Sequence, residues 1–191
     1  MSSWDKTSKL PSHLPRAEKR SVIATDRGFV RRQKYTDVHS NVRIKDELLV
    51  PIDGLANSSN FGAPNISDVW FSSDTATANT EVTVNVTFDE PVNHSGLSGS
   101  IKMAIANTAA GASGLVAIHT SNATSITGSS NQLSFSFVPT VVGSYSVSAQ
   151  TLANVSATAI NLRSLNTGTE AATLTVNTAI AATVGTLTVT A

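Results

Sequence analysis

The chain has 191 residues and no cysteine, which excludes disulfide bonds, thiolate metal sites and a cysteine nucleophile. Hydrophobic residues make up 40% of the chain but aromatic residues only 5%, so a core must consist mainly of aliphatic residues and Thr, which suit packed sheets. The net charge is zero, but residues 1–55 are basic and residues 56–191 acidic, which predicts two segments with different partners.

Residues 1–20 are predicted to form an extended arm, because Pro11 and Pro15 interrupt helices and few apolar side chains are present. Trp4 and Leu10 are candidate anchors on a neighbouring surface, and the alternative is a loosely ordered tail. The start lacks the apolar core of a secretory signal, and no stretch reaches the roughly 18 apolar residues of a membrane helix. We therefore expect neither Sec export nor a membrane-spanning protein.

Residues 21–55 are predicted to form a small β-element or docking segment, with a turn at Asp26–Gly28 between two extended stretches. After a polar stretch comes an apolar run that contains Pro51, which predicts an edge strand or a docked segment. The piece is too small for its own core, so we expect it to pack on the main domain or on a partner subunit. The apolar docking residues of this run are Leu48, Leu49, Val50 and Ile52.

Residues 56–63 are predicted to be a linker, residues 64–177 a β-sandwich, and residues 178–191 a further C-terminal strand. In the run from Glu81 to Asp89 the apolar residues alternate strictly, which places them on one face of a strand. Similar segments recur between turn-forming residues along the rest of the chain. The alternating apolar positions are Val82, Val84, Val86, Phe88, Ile101, Met103, Ile105, Leu133, Phe135, Phe137, Tyr145, Val147, Ala149, Leu174, Val176, Leu187 and Val189.

Seven to eight short strands over about 125 residues are typical of a two-sheet sandwich. The predicted fold class is therefore all-β. We expect an immunoglobulin-like antiparallel β-sandwich, with an extended basic N-terminal arm and a small β-element before it.

The N-terminal segment carries a cluster of basic residues: residues 1–55 hold 11 Lys and Arg against 7 Asp and Glu, and residues 56–191 hold 2 against 6. Three interpretations stay open: docking on an acidic protein surface, a solvated arm, and contact with nucleic-acid phosphates. Interspersed acidic residues and the lack of a nucleic-acid module favour protein docking. The basic docking residues are Arg16, Lys19, Arg20, Arg27, Arg31 and Arg32.

The four histidines lack the spacing of a helical metal site. Asp89 and Glu90 could join Asp68 or Asp74 around a calcium ion, but a polar strand end is the preferred interpretation. Neither a G-x-S-x-G elbow nor a phosphate-binding Gly-rich loop occurs. We predict no catalytic residue, no metal ligand and no cofactor, and hence a protein that is not an enzyme.

The segment PNISDVWFSSDTATANTEVTVNVTFDEPV, followed by NQLSFSFVPTVVGSYSVSAQTL and AATLTVN, resembles the immunoglobulin-like modules of tailed-bacteriophage virion proteins. The resemblance covers residues 64–177, and related modules occur in bacterial adhesins. Adhesins differ by their tandem copies, export signals and calcium-binding acidic clusters. The resemblance therefore implies a phage virion structural protein, assembled in the host cytoplasm: a head decoration (cement) protein or a neck, tail or fibre component.

On this interpretation the arm is the anchor and the sandwich is displayed. The expected partners are other virion structural proteins and copies of the chain itself in a homo-oligomer, with weak contact to host-surface glycans. Neither a membrane nor nucleic acid is an expected partner. The alternatives are a bacterial surface adhesin or carbohydrate-binding module and, second, a capsid-internal protein whose arm contacts nucleic acid.

Overall fold

The computed structural model describes residues 13–55, 63–92, 101–107, 117–125, 131–154 and 172–191. Most of these residues are in strands, so the predicted all-β class is confirmed. The N-terminal elements are α1 (Arg16–Lys19), β1 (Val22–Thr25), β2 (Gly28–Thr36) and β3 (Val42–Pro51). The later elements are β4 (Ile66–Phe71), β5 (Thr75–Thr77), β6 (Val82–Phe88), β7 (Ile101–Asn107), β8 (Ala117–Ser125), β9 (Gln132–Phe137), β10 (Gly143–Ser146), β11 (Gln150–Thr151), β12 (Ala153–Asn154), β13 (Thr175–Val176), α2 (Thr178–Ala181) and β14 (Leu187–Thr190).

The N-terminal sheet has the antiparallel order β1-β2-β3, which places β3 at an edge as Pro51 predicted. The turn between β1 and β2 ends at Gly28, which has a φ of 120°. A Cβ atom there would lie 2.0 Å from the carbonyl oxygen of Val50, so only glycine fits both the backbone angle and the close approach of β3. Next to it the β2–β3 register shifts between Phe29 and Val30.

The main domain is a sandwich whose strands follow the order β4-β6-β9-β8-β7-β10-β14-β5. The strand β8 pairs with β7 through residues 117–122 and with β9 through residues 123–125, so it passes from one layer to the other. Every pair along this order is antiparallel except the parallel pair β14–β5. Buried side chains from both layers form one hydrophobic cluster, as a sandwich requires.

The predicted alternation is confirmed on β6, where Val82, Val84, Val86 and Phe88 are all buried. Phe135 of β9 lies directly opposite Val84 and is fully buried. The inward-facing residues of β7 and β14 are also buried as predicted. The period of two in the sequence therefore identified the inner face of these strands.

Two expected core positions are not core. Ala149 is exposed because β10 ends at Ser146, and Leu174 is only partly buried at the border of the cluster. Tyr145 is buried at β10, and its hydroxyl donates a hydrogen bond of 2.7 Å to the carbonyl oxygen of Val141. This bond ties the start of β10 to the loop that precedes it.

The C-terminal residues belong to the sandwich, which corrects the boundary expected at residue 177. The strand β14 lies between β10 and β5 and buries Leu187 and Val189 in the common core. The short helix α2 leads to β14. The side chain of Asn177 caps the first turn of this helix and accepts a hydrogen bond of 2.9 Å from the backbone N–H of Ile180. Since β14 supplies part of the core, the sandwich is not complete without it.

Candidate docking hairpin

The N-terminal element is joined to the sandwich by a charged contact around Asp68, which we call the joint (Arg16, Arg20, Asp68 and Trp70). The Asp68 side chain is 9% exposed and accepts hydrogen bonds from Arg16 Nε at 2.9 Å and from Arg20 Nε at 2.7 Å. The Arg20 guanidinium also lies 4.1 Å from the ring centre of Trp70, within the range of a cation–π interaction. Two of the predicted docking arginines therefore bind this chain's own sandwich.

Two hydrogen bonds to backbone carbonyl groups link β1 and the residue Arg20 to the sandwich. The N–H of Ala24 donates to the carbonyl oxygen of Asp89 at 3.0 Å, and the side chain of Gln132 donates to the carbonyl oxygen of Arg20 at 3.1 Å. The N-terminal element also has a small hydrophobic cluster of its own. It consists of Val22, Ala24, Phe29 and Leu55, with Leu14, Leu49 and Ile52 packed against it.

The expectation of an extended arm over residues 1–20 is therefore wrong for its described end. Residues 16–19 form the helix α1, which starts directly after Pro15, and the Pro15 carbonyl oxygen accepts a hydrogen bond of 3.1 Å from the N–H of Lys19. Lys19 lines an open cavity of about 320 Å³ beside the joint, together with Arg16, Ser67, Asp68 and Thr183. The anchors Trp4 and Leu10 lie outside the described residues, as does the predicted linker except for Ala63.

Two of the carboxylates considered for calcium, those of Asp68 and Asp89, have protein partners. Asp68 holds the two arginines of the joint, and the Asp89 carboxylate accepts a hydrogen bond of 2.7 Å from the N–H of Asn65. Over the described ranges, no group of three or more His, Asp or Glu side chains is placed to hold a metal ion. In the same residues no helix is long and apolar enough to cross a membrane.

Beyond the small cluster, β2 and β3 continue as a two-stranded hairpin, residues 30–48, which we call the hairpin. From residue 33 onward every hairpin residue but Asp37 is exposed, so this part leaves the body of the molecule. An isolated two-stranded hairpin is marginally stable in water and needs further contacts or good cross-strand pairs.

Oppositely charged pairs link the two strands of the hairpin. Arg32 forms two parallel hydrogen bonds of 2.8 and 2.7 Å with Asp46, and Arg31 contacts Glu47 at 2.7 Å and Glu18 at 2.9 Å. The hydrogen bonds that Asp46 accepts from Arg32 lower the pKa of Asp46, and the bonds that Arg31 donates to Glu47 raise the pKa of Arg31. These arginines therefore stabilise the hairpin itself, instead of being left for an acidic partner.

The turn at the end of the hairpin is organised by Asp37. Its carboxylate accepts hydrogen bonds of 2.9 Å from the backbone N–H groups of His39 and Asn41, and another of 2.9 Å from Arg43 Nε. These bonds, with that from Asn41 the largest contribution, lower the pKa of Asp37. Ser40 adopts a φ of 61°, which closes the turn.

The hairpin exposes large apolar side chains that contribute nothing to the two hydrophobic clusters. In the β2–β3 register, Val42, Ile44 and Leu48 share one face of β3, and they are 67%, 48% and 42% exposed. Tyr35 is 51% exposed on the other face, and Val38 is 95% exposed in the turn. A concentration of exposed large apolar residues on one projecting element is typical of an interaction surface.

The structure divides the predicted docking residues into three groups. Arg16 and Arg20 attach the N-terminal element to the sandwich, whereas Leu49 and Ile52 pack in the small cluster of the element itself, and Val50 is partly buried. Arg31 and Arg32 pair within the N-terminal element, and Arg27 is exposed in the β1–β2 turn. Leu48 is the predicted apolar residue that faces solvent on the hairpin.

Sequence reasoning missed Tyr35, Val38, Val42 and Ile44, which lie in the polar stretch before the apolar run at Leu48. Charged residues alternate with them, so no hydrophobic period stands out. The turn-forming Asp37, together with the alternation of Val42 and Ile44, was the available signal for a hairpin.

Comparisons with known proteins found no match to this chain. No protein-family model matches the chain, no curated protein matches it, and no solved structure matches it.

Proposed function

We propose that this chain is a non-enzymatic structural protein of a tailed-bacteriophage virion, a capsid decoration (cement) protein or a neck, tail or fibre component. It is anchored in the particle through the hairpin and displays the sandwich. The observation that carries the proposal is the hairpin, which exposes Tyr35, Val38, Val42 and Ile44 away from the chain's own core. Apolar residues exposed on an ordered projection stabilise a structure only when a partner buries them, because burial of apolar surface lowers the free energy.

The proposal includes an immunoglobulin-like fold for the sandwich. In this fold one sheet has the order A-B-E-D and the other contains C-F-G. The strands β4-β6-β9-β8 and β7-β10-β14 follow these two orders. The bond from Tyr145 to Val141, at the start of the F-equivalent strand β10, has the geometry of a tyrosine corner and supports the same assignment.

The virion assignment is supported by the sequence resemblance of residues 64–177 together with the anchor geometry. The joint fixes the N-terminal element to the sandwich through a carboxylate that is almost fully buried. A subunit held at its hairpin therefore carries its sandwich in a defined orientation. That combination suits a displayed domain on a particle, where many copies are oriented alike.

The test is incorporation into particles. In the double variant Val42→Thr/Ile44→Thr, the apolar surface is reduced while β-branched side chains are retained, so the hairpin keeps its strand propensity. We expect the amount of protein that co-sediments with purified particles to fall about tenfold or more, because two apolar contacts are lost from a buried interface. Quantitative immunoblotting of gradient-purified particles measures this amount.

The matched control is Val141→Thr/Val142→Thr, which makes similar changes on an exposed loop of the sandwich. This variant should incorporate at the wild-type level. Equal incorporation of both double variants would contradict anchoring through the hairpin. Wild-type protein that is absent from particles but present on intact host cells would favour the adhesin interpretation instead.

A further inference from the structure

Within the part of the chain that the structure describes, the strand β3 has one side without a neighbouring strand. It pairs with β2 alone, and among the described residues no other strand adjoins its ten residues. The backbone N–H of Arg32 donates to Ser21 on the β1 side at 2.7 Å, so Arg32 and its partner Asp46 form a non-hydrogen-bonded pair of the β2–β3 ladder. In such a pair both residues turn their backbone groups outward. Asp46 therefore presents its N–H and carbonyl to the free edge, and so do Ile44 and Leu48, which alternate with it.

The side chains of this edge complement themselves in one antiparallel register. If two copies of β3 pair around a two-fold axis at Asp46, Ile44 lies opposite Leu48 of the second copy, and Lys45 lies opposite its Glu47. The outward backbone groups of Ile44, Asp46 and Leu48 then meet one another, as the ladder requires. Apolar residues face apolar residues, and each copy contributes one Lys and one Glu to two ion pairs.

Neighbouring registers place less compatible side chains opposite one another. An axis at Lys45 places this lysine opposite its own copy and Ile44 opposite Asp46, while an axis at Glu47 places two glutamates together. The register centred on Asp46 brings two carboxylates close, but each is already held by two hydrogen bonds from its own Arg32. Charged residues on an edge normally prevent pairing, whereas here their opposite signs select one register.

We propose that the partner of this edge is a second copy of the same chain, and that β3 pairs with β3 in the antiparallel register centred on Asp46. The pairing joins two hairpins into one four-stranded ribbon, in which Ile44 of each copy packs beside Leu48 of the other, on either side of the two Asp46–Arg32 pairs at the axis. This inference rests on the proposed function, because it names the subunit that the hairpin meets in the particle.

The test is a charge exchange between two variants of the full chain, followed by sedimentation at concentrations up to about 1 mM, since a single strand pair gives a weak contact. Lys45→Glu and Glu47→Lys each place like charges opposite one another in a homodimer. Each variant alone should therefore dimerise about tenfold more weakly than the wild type. An equimolar mixture of the two variants should dimerise again. In a dimer of one chain of each variant, both pairs between residues 45 and 47 have opposite charges.

The register can be tested by disulfide cross-linking. The chain lacks cysteine, so each introduced cysteine can pair only with another introduced cysteine. A single Asp46→Cys substitution places two thiols on the axis at about 5.5 Å between Cα atoms, within the range of a disulfide. Under mild oxidation this variant should form a covalent dimer, whereas Ile44→Cys should not, since residue 44 faces residue 48 of the other copy. A mixture of Ile44→Cys and Leu48→Cys should cross-link again.

Monomeric wild-type protein over the whole concentration range, or a charge mixture that dimerises no better than its components, would overturn the self-pairing. Cross-linking of Asp46→Cys no faster than of Ile44→Cys would overturn the register. If these tests fail while the Val42→Thr/Ile44→Thr variant still drops out of particles, the anchor stands and its partner is a different protein. The two proposals therefore fail separately.

Discussion

Replacement of Asp68 by Asn tests whether the joint holds the N-terminal element on the sandwich. The carboxylate accepts hydrogen bonds from Arg16 Nε at 2.9 Å, from Arg16 Nη2 at 2.5 Å and from Arg20 Nε at 2.7 Å. An amide keeps the shape but removes the charge and one acceptor, and it directs an N–H₂ group toward arginine donors. The substitution therefore weakens the joint and adds no volume.

The size of the effect follows from the burial of the three groups. Removal of one partner from a buried ion pair costs about 3–5 kcal/mol. Here the side chains of Arg16 and Arg20 are 41% and 24% exposed, so water screens part of the interaction. We expect a loss of about 2–3 kcal/mol, which raises the equilibrium constant for opening of the joint about 30-fold or more.

Amide hydrogen exchange measures this opening directly. The N–H of Ala24 bonds across the joint to the carbonyl oxygen of Asp89, so its exchange should accelerate by that factor. Amides of β6, such as Val84, should keep their wild-type protection, because the sandwich has its own core. The matched control is Asp74→Asn, which removes the same charge from an exposed residue. Equal exchange of the Ala24 amide in the two variants would refute the role of the joint.

Two further predictions concern the core and the hairpin. Phe135→Ala should lower the free energy of unfolding by about 3–5 kcal/mol, because the buried ring is lost and a cavity is left. Thr83→Ala, on the outer face of β6, should cost well under 1 kcal/mol. Both losses are measured by chemical denaturation, and equal losses would show that the inner and outer faces of β6 and β9 are misassigned. The pKa of Asp46 is lowered by Arg32 in the folded chain, so this pair stabilises the hairpin above the ordinary pKa of 3.8, and the contribution is lost as pH falls through the lowered pKa. The chemical shifts of the hairpin in NMR should therefore stay native near neutral pH and move toward random-coil values in strong acid. In Asp46→Asn they should lie closer to random-coil values at every pH, because the ion pair is absent. Native shifts in strong acid and in the variant would contradict the role of this ion pair.

The sandwich could be predicted because its signal is local. Each long strand has one wet face and one buried face, so the period of two appears within six or seven residues of sequence. The strand β5, Thr75–Thr77, gives no such signal, because it is short and polar and is held by parallel pairing with β14, more than 100 residues away. The position of β14 between two sequence-distant strands is likewise a property of the assembled sheet.

The docking residues were harder to predict for two physical reasons. A basic side chain has the same sequence signature whether it meets a partner or its own chain, and the partner of Arg16 lies 52 residues away at Asp68. A hairpin that is wet on both faces has no hydrophobic period, so Val42 and Ile44 were hidden among charged neighbours. The apolar run at Leu48 was detected, since it continues into the buried base of β3.

The measurement that bears most directly on the proposed role is a cryo-electron microscopy map of the assembled particle. It should place the hairpin, with Val42 and Ile44, in contact with a neighbouring subunit and the sandwich on the particle surface. A map in which the hairpin lies in solvent while the sandwich makes the contacts would contradict anchoring through the hairpin, and particles without this chain would contradict the virion assignment.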